Sequence, residues 1–324
     1  MAEAVTVAVP VRNGGPRLDL ALGAVRAQSL DRPLELLVAD SGSTDGSREV
    51  AQRHGATVVD IPRERFSHGG TRNLLARQAQ GTHIAFITQD AVPGGERWLS
   101  TLLDGFRAGA DVALVFGPYH PVPGASPMVS RELAEWFGSL SPDGGPRVDR
   151  GLPSSDDADA MRHVFFTDAN ACVARDALDR VPFRDVAYAE DQLLARDMLA
   201  AGYAKVYRPD APVIHSHDYG SVELFKRSFD EWRGLREVHG IAASGGPVAG
   251  ALSLQRNVRD DLRFMRGQGA RGAELVRGLG ASVAYHGSRE LGAALGARAE
   301  KLPAGVRAHL SLEGRGDFDP VRSH

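Results

Sequence analysis

The sequence predicts an α/β fold: a mainly parallel sheet flanked by helices, with a helical C-terminal region. Three observations carry this. Short β-branched runs alternate with helical segments of roughly 10–15 residues through the N-terminal third, the signature of βαβ units. A hydrophobic content of 43% with 24% charged residues is that of a globular chain. A length of 324 residues accommodates one large domain or two smaller ones at roughly 100–200 residues each.

Val5 to Val9 reads as a buried strand. After the Asn13-Gly14-Gly15-Pro16 turn, Leu18, Ala21, Leu22 and Val25 fall at helical spacing, and Pro16 suits a first helical turn. Leu34 to Ala39 is a second strand ending at Asp40. The turn Ser41–Gly46 and a helix to about His54 follow, then a third strand at Ala56–Val59. Thr71–Gln80 reads as helix, His83–Thr88 as a fourth strand ending at Gln89-Asp90, Trp98–Phe106 as helix and Asp111–Phe116 as a fifth strand. Residues 141–159 are polar and rich in Pro and Gly, which predicts a long functional or mobile loop. Val164–Val173 gives one or two strands, Asp191–Ala201 a helix and Ala204–Tyr207 a strand. We expect a domain over residues 1–220 and a helical region over 221–324.

Composition excludes several classes. Lys plus Arg number 38 against 41 Asp plus Glu, a net charge of −3, which argues against a nucleic-acid partner. The single cysteine, Cys172, excludes an intramolecular disulfide and a cysteine zinc site, and fits a reducing cytosol. No secretory signal is visible, and no window reaches the ~20 apolar residues of a membrane span. The expected location is cytoplasmic, with peripheral contact at the inner face of a membrane as a second possibility. Between Arg256 and Arg307 ten basic residues face five acidic ones. Either this is a solvated helical face packed on the first domain, or it touches an anionic membrane surface or lipid phosphate.

In open parallel sheets, ligands bind beyond the carboxyl ends of the strands. Three strands end in polar clusters there: Arg12-Asn13-Gly14, Asp40-Ser41 and Gln89-Asp90. Such convergence suits a nucleotide-containing ligand. The turn after the first strand lacks the G-x-G-x-x-G spacing of a dinucleotide site, and no G-x-x-x-x-G-K-[ST] loop occurs.

The ordered motifs V-A-V-P-V-R-N-G, V-A-D-S-G-S-T-D-G-S, F-S-H-G-G-T-R-N and F-I-T-Q-D-A-V-P resemble family 2 glycosyltransferases of the GT-A fold. With A-E-D, G-Y, Y-R-P-D-A and H-S-H-D-Y they look most like the bacterial rhamnosyltransferase branch. The resemblance runs from about Val5 to Tyr219 and continues weakly to Leu310.

It implies an inverting, metal-dependent transfer of L-rhamnose from dTDP-β-L-rhamnose to a saccharide or lipid-linked acceptor. Mg2+ or Mn2+ would neutralise the departing diphosphate. The family's Asp-x-Asp metal motif stands here as Thr88-Gln89-Asp90, so Asp90 alone carries the metal within it and Gln89 reaches toward the ribose. His215 is the implied second ligand, with His217 as runner-up. For the nucleotide, the resemblance implies Asp40 as acceptor for the imide N–H of uracil or thymine, beside Ser41, Pro10 and Arg12. From the H-G-G-T-R-N motif, His68 faces the donor, Arg72 reaches the base or a phosphate with its paired donors, and Gly69 and Gly70 admit close backbone approach. Asp191 is the implied general base, ionised at neutral pH by its place at a helix N-terminus, with Glu190 orienting it. Asp168 and Asn170 would touch donor sugar or acceptor.

Blander readings accompany each. Asp40, Asp90 and the Glu190-Asp191 pair can cap turns or helices, and His215 can be a packed loop residue. A UDP-hexose donor is the nearest alternative. A nucleotidyltransferase needs a Gly-rich loop with a basic residue after the first strand, where Arg17 is the candidate. A binding protein without turnover keeps the fold but not metal-dependent donor binding.

Overall fold

Strand β1 (Val5–Val11) forms because valines at alternate positions give it one apolar face while Ala8 serves the other, and it lies inside the main sheet of a computed structural model. The structure describes residues 3–154, 159–186, 188–239 and 247–312. After β1 come α1 (Gly15–Arg26), β2 (Leu34–Asp40), α2 (Ser47–Arg53), β3 (Thr57–Asp60), α3 (His68–Gln78), β4 (His83–Ile87), β5 (Val92–Pro93) and α4 (Trp98–Gly105). They are followed by β6 (Val112–Phe116), β7 (Tyr119–His120), α5 (Pro127–Leu140), β8 (Arg147–Arg150), α6 (Ala160–Val164), β9 (Asn170–Ala174) and α7 (Arg175–Arg180). The series ends with α8 (Glu190–Ala200), β10 (Ala204–Tyr207), β11 (Val213–Ile214), α9 (Ser221–His239), α10 (Pro247–Gly267), α11 (Ala273–Gly296) and α12 (Ala304–Leu310).

Among the described residues the main sheet has eight strands in the order β3-β2-β1-β4-β9-β6-β10-β8. The pairs β1–β2, β2–β3, β1–β4 and β6–β10 are parallel; β9 runs antiparallel between β4 and β6, and β8 closes an edge antiparallel to β10. The mainly parallel sheet flanked by helices matches expectation. Because β2 and β4 flank β1 on opposite sides, the chain reverses its winding at β1–β4. That reversal opens a crevice at their carboxyl ends.

Side-chain alternation divides the core into two layers. Val5, Val7 and Val9 with Ala85 and Ile87 meet α1 and α4 through Leu18, Leu22, Trp98 and Leu102. Ala8, Ile84 and Phe86 face the other way, toward α3 and α8 through Leu75, Leu194 and Met198. Phe86 is fully buried, and burial of such a side chain stabilises by roughly 2–3 kcal/mol.

A second, three-stranded sheet pairs β11 with β5 and β7. Each of these strands is two residues long, and sequence periodicity gives no sign of them.

The chain divides into two compact units: Met1–Val122, Leu133–Val186 and Glu190–Ser216 in one; Pro123–Glu132, Ala187–Ala189 and His217–His324 in the other. In the second, Gly292 and Gly296 of α11 lie against the α9 backbone, where a Cβ would meet the carbonyl oxygens of Phe225 and Phe229. Asp261 of α10 is fully buried; it accepts hydrogen bonds from Arg131 Nε (2.5 Å) and Ser282 Oγ (2.5 Å), with His286 Nε2 at 2.8 Å.

Two local expectations are corrected. Helix α3 begins at His68 rather than Thr71, because the Ser67 hydroxyl accepts the Gly70 N–H at 3.2 Å and caps it. The segment expected as one loop over 141–159 carries β8, paired to β10 through Val148 and Asp149, and Asp149 takes the buried Lys205 ammonium at 2.8 Å. Residues 155–158 of that segment lie outside the described residues.

Candidate active site

The carboxyl ends of β1, β2 and β4 are tied together by their own polar residues. The Gln89 side-chain carbonyl accepts the Arg12 N–H at 2.8 Å, which bridges β4 to β1. Asn13, at φ 49°, accepts from the Thr44 N–H at 2.8 Å and donates its own N–H to Ser43 Oγ at 2.9 Å. Asp40 is 5% exposed and accepts from the Ser43 N–H (3.1 Å) and Oγ (2.5 Å), so it shapes the turn leaving β2. Ser41 donates its hydroxyl to the Val11 carbonyl at 3.1 Å and is 1% exposed. It locks β2 to β1 at this edge. Pro10 is half-buried and Arg12 exposed at the same edge.

The three-stranded sheet accounts for a second grouping. Pairing Ile214 with Val92 and with His120 brings the residue after β11 close to Asp90, two residues before β5. His215 Nδ1 lies 3.4 Å from Asp90 Oδ1, with both side chains largely buried, although the two residues are far apart in sequence. The His215 N–H donates to the His120 carbonyl at 2.9 Å, and the ring meets Tyr119 edge-on at 5.0 Å. A carboxylate oxygen beside an imidazole nitrogen is a donor set that suits Mg2+ or Mn2+. His217 opens the second unit; it is exposed and its ring stacks on Tyr219 at 5.2 Å.

The third grouping is acidic. Arg72, on the first turns of α3, is 4% exposed. Its Nη2 donates to Asp168 at 2.7 Å, Nε lies 2.6 Å from the other Asp168 oxygen, and Nη1 donates to Glu190 at 3.0 Å. Burial works against the guanidinium charge, but Asp168 and then Glu190 outweigh it and raise the Arg72 pKa. Two buried carboxylates thus compete for the fork of donors expected to reach a base or phosphate. His68 Nδ1 stands 3.9 Å from Glu190.

Asp191 begins α8 beside Glu190. Burial, then the neighbouring Glu190 charge, push its carboxyl up to about 7, against the Arg72 charge and hydrogen bonds from the Gln192 and Asp168 backbone. The helix N-terminus therefore does not hold Asp191 fully ionised at neutral pH as expected: three carboxyls face one guanidinium, and burial penalises the surplus charge.

Tyr119 packs its ring on His215 of the second grouping, and its hydroxyl bonds Thr167, the chain neighbour of Asp168 in the third. Burial holds the hydroxyl protonated, and the charges of Asp191 and Asp168 add to that. Sequence reasoning did not single out Tyr119; its only signal is the G-P-Y-H-P stretch after β6.

A Cβ at Gly69 would collide with the Arg184 carbonyl, and one at Gly70 with Ser67 Oγ. The absence of a side chain at these glycines thus serves the chain's own packing. Asn170 is fully buried; it accepts from Trp98 Nε1 (2.8 Å) and donates to the carbonyls of Pro118 (3.0 Å) and Ala211 (2.9 Å). It anchors the loops that carry Tyr119 and His215 and has no amide group left for a sugar.

Residues 6–167 match the family described as Glycosyl transferase family 2. The chain is 31% identical to O-antigen chain rhamnosyltransferase WbaN of Salmonella anatum over 232 residues, spanning 69% of this chain and 70% of that protein. This protein is a family 2 glycosyltransferase. The transferase is also 30% identical to O-antigen chain rhamnosyltransferase RfbN of Salmonella typhimurium, over 70% of each chain. Among solved structures it resembles the mannosyltransferase PcManGT of Pyrobaculum calidifontis in complex with GDP-Man and Mn2+, with a TM-score of 0.57, 20% identity and coverage of 92% of this chain and 86% of that one. At that identity the likeness is one of fold, GT-A. Family membership sets aside the nucleotidyltransferase alternative. Among the described residues no helix is long and apolar enough to cross a membrane.

Proposed function

We propose that this transferase moves L-rhamnose, with inversion, from dTDP-β-L-rhamnose to a hydroxyl of a saccharide or lipid-linked acceptor. The observation that carries the reading is the Asp90–His215 pair, with Tyr119 edge-on to the His215 ring and its hydroxyl on Thr167, the chain neighbour of Asp168. Asp90 and His215 would hold Mg2+ or Mn2+, which offsets charge on the diphosphate when bound. Asp40, Pro10 and Arg12 flank the nucleotide at the crevice. Asp191 takes the proton of the acceptor hydroxyl as that oxygen bonds to the anomeric carbon. The bond from that carbon to the diphosphate oxygen breaks, and the electron pair leaves with dTDP. A carboxyl with its pKa near 7 suits a base at neutral pH. Arg72, Asp168 and Glu190 hold it in place. The two relatives named as rhamnosyltransferases support rhamnose as the sugar.

The test is direct. Purified protein with Mg2+ or Mn2+ is expected to consume dTDP-rhamnose and to leave UDP-glucose unused. Asp191→Asn is expected to abolish turnover while calorimetry still shows donor binding. Turnover retained by that variant removes Asp191 as the base; preference for UDP-glucose replaces the donor.

A further inference from the structure

The inference lies in the second unit and is independent of the transfer chemistry. Helices α10 and α11 run antiparallel: Asp261 meets Ser282 and His286, and Met265 lies against Gly278. These contacts consume the inner face of each helix and fix what turns outward. On α10 the outward residues are Val248 and Leu252, 73% and 61% exposed, followed by exposed arginines at 256, 259, 263 and 266. On α11, Val276 is 70% exposed, Leu279 43% and Val283 45%. Large apolar side chains held in water along two adjacent helices are a marked surface.

A shallow groove of about 420 Å3 runs along this face. Its floor is apolar, with Leu254, Val258 and Leu262 of α10 and Val283 of α11, and Arg259 and Arg266 line it too. The only acidic residue of α10 besides the buried Asp261 is Asp260, which both Arg259 and Arg263 contact at 3.1 Å. The surface therefore joins an apolar strip to an excess of guanidinium charge.

We propose that the α10–α11 face docks on an anionic lipid surface. Guanidinium groups meet lipid phosphates, and Leu252, Val276, Leu279 and Val283 enter the boundary between headgroups and acyl chains. Charge complementarity favours this occupant over a second copy of the chain. A two-fold contact through the same patch would set one arginine rim against its twin.

The experiment uses the full chain and sedimentation with vesicles of phosphatidylcholine, alone or mixed with phosphatidylglycerol. Wild type is expected to sediment with the mixed vesicles, to stay in solution with the neutral ones, and to be released by added salt. Arg256→Glu/Arg266→Glu and Leu252→Asp/Val283→Asp each lower partitioning by about tenfold or more. All four positions are exposed, so both variants keep the wild-type melting temperature; Arg256→Gln/Arg266→Gln provides a milder charge removal. Equal binding to neutral vesicles, no binding to either kind, or variants that partition like wild type would overturn the proposal. So would a dimer by light scattering that Leu252→Asp/Val283→Asp splits while vesicles go unbound, since that assigns the face to a second copy.

Discussion

Replacing Asp191 by asparagine should disable the enzyme and stabilise it at once. In the unfolded chain this carboxyl titrates at its ordinary 3.8; in the folded protein burial and Glu190 raise it to about 7. Below about pH 4 the group is protonated in both states and costs nothing. As pH rises toward 7 the unfolded chain loses its proton first, so the folded state loses stability, and above about 7 the loss is complete. At about 1.4 kcal/mol per pH unit the full span corresponds to roughly 4 kcal/mol. Asp191 is only partly buried, so solvent screening discounts this to ~1–3 kcal/mol. Asparagine keeps the shape without the charge. Urea unfolding at about pH 8 is then expected to show Asp191→Asn more stable than wild type by ~1–3 kcal/mol, with the two converging near pH 4. Wild-type kcat/KM is expected to rise as pH passes about 7, and the variant to lose about 100-fold or more in turnover. A variant no more stable than wild type at pH 8, or a wild-type rate flat across neutrality, would refute the assignment of a burial-raised base.

Asn170→Ala strands the Trp98 indole N–H and the Pro118 and Ala211 carbonyls in the core, and is expected to cost about 2–4 kcal/mol by thermal or urea unfolding. Gly69→Ala drives a methyl into the Arg184 carbonyl and should cost about 1–3 kcal/mol. Gly138→Ala, exposed in α5 with open space around it, should instead gain ~0.5–1 kcal/mol in the same melts. Mn2+ added with dTDP is expected to raise the wild-type melting temperature, as any ligand of the folded state does. That rise should vanish in Asp90→Asn and in His215→Ala; an undiminished rise in both would remove the pair as metal donors.

The parallel half of the fold was legible because its strands are buried on both faces. Val5 to Val9 and Leu34 to Ala39 are apolar runs interrupted only by Thr6 and Glu35, which hydrogen-bond each other at 2.6 Å. The two-residue strands β5, β7 and β11 were not, since two residues carry no period. Yet it is those strands that set Asp90 beside His215. Asp191 and Glu190 stood out as adjacent acids at a helix start. What the sequence hid was the partners: two distant carboxyls pair with Arg72, and Trp98 with two carbonyls engages the Asn170 amide. Such assignments depend on partners some hundred residues away, which local pattern does not reveal.

The minor sheet also fixes when, during synthesis, Asp90 and His215 can first meet. Asp90 leaves the ribosome well before its partner imidazole, about 125 residues earlier in the chain. At about 5–20 residues per second that gap lasts roughly 6–25 s. A nascent transferase must therefore pass that interval with its βαβ half translated but this carboxylate–imidazole pair unformed, and only the late arrival of Val213 and Ile214 zips the two halves of the pair together.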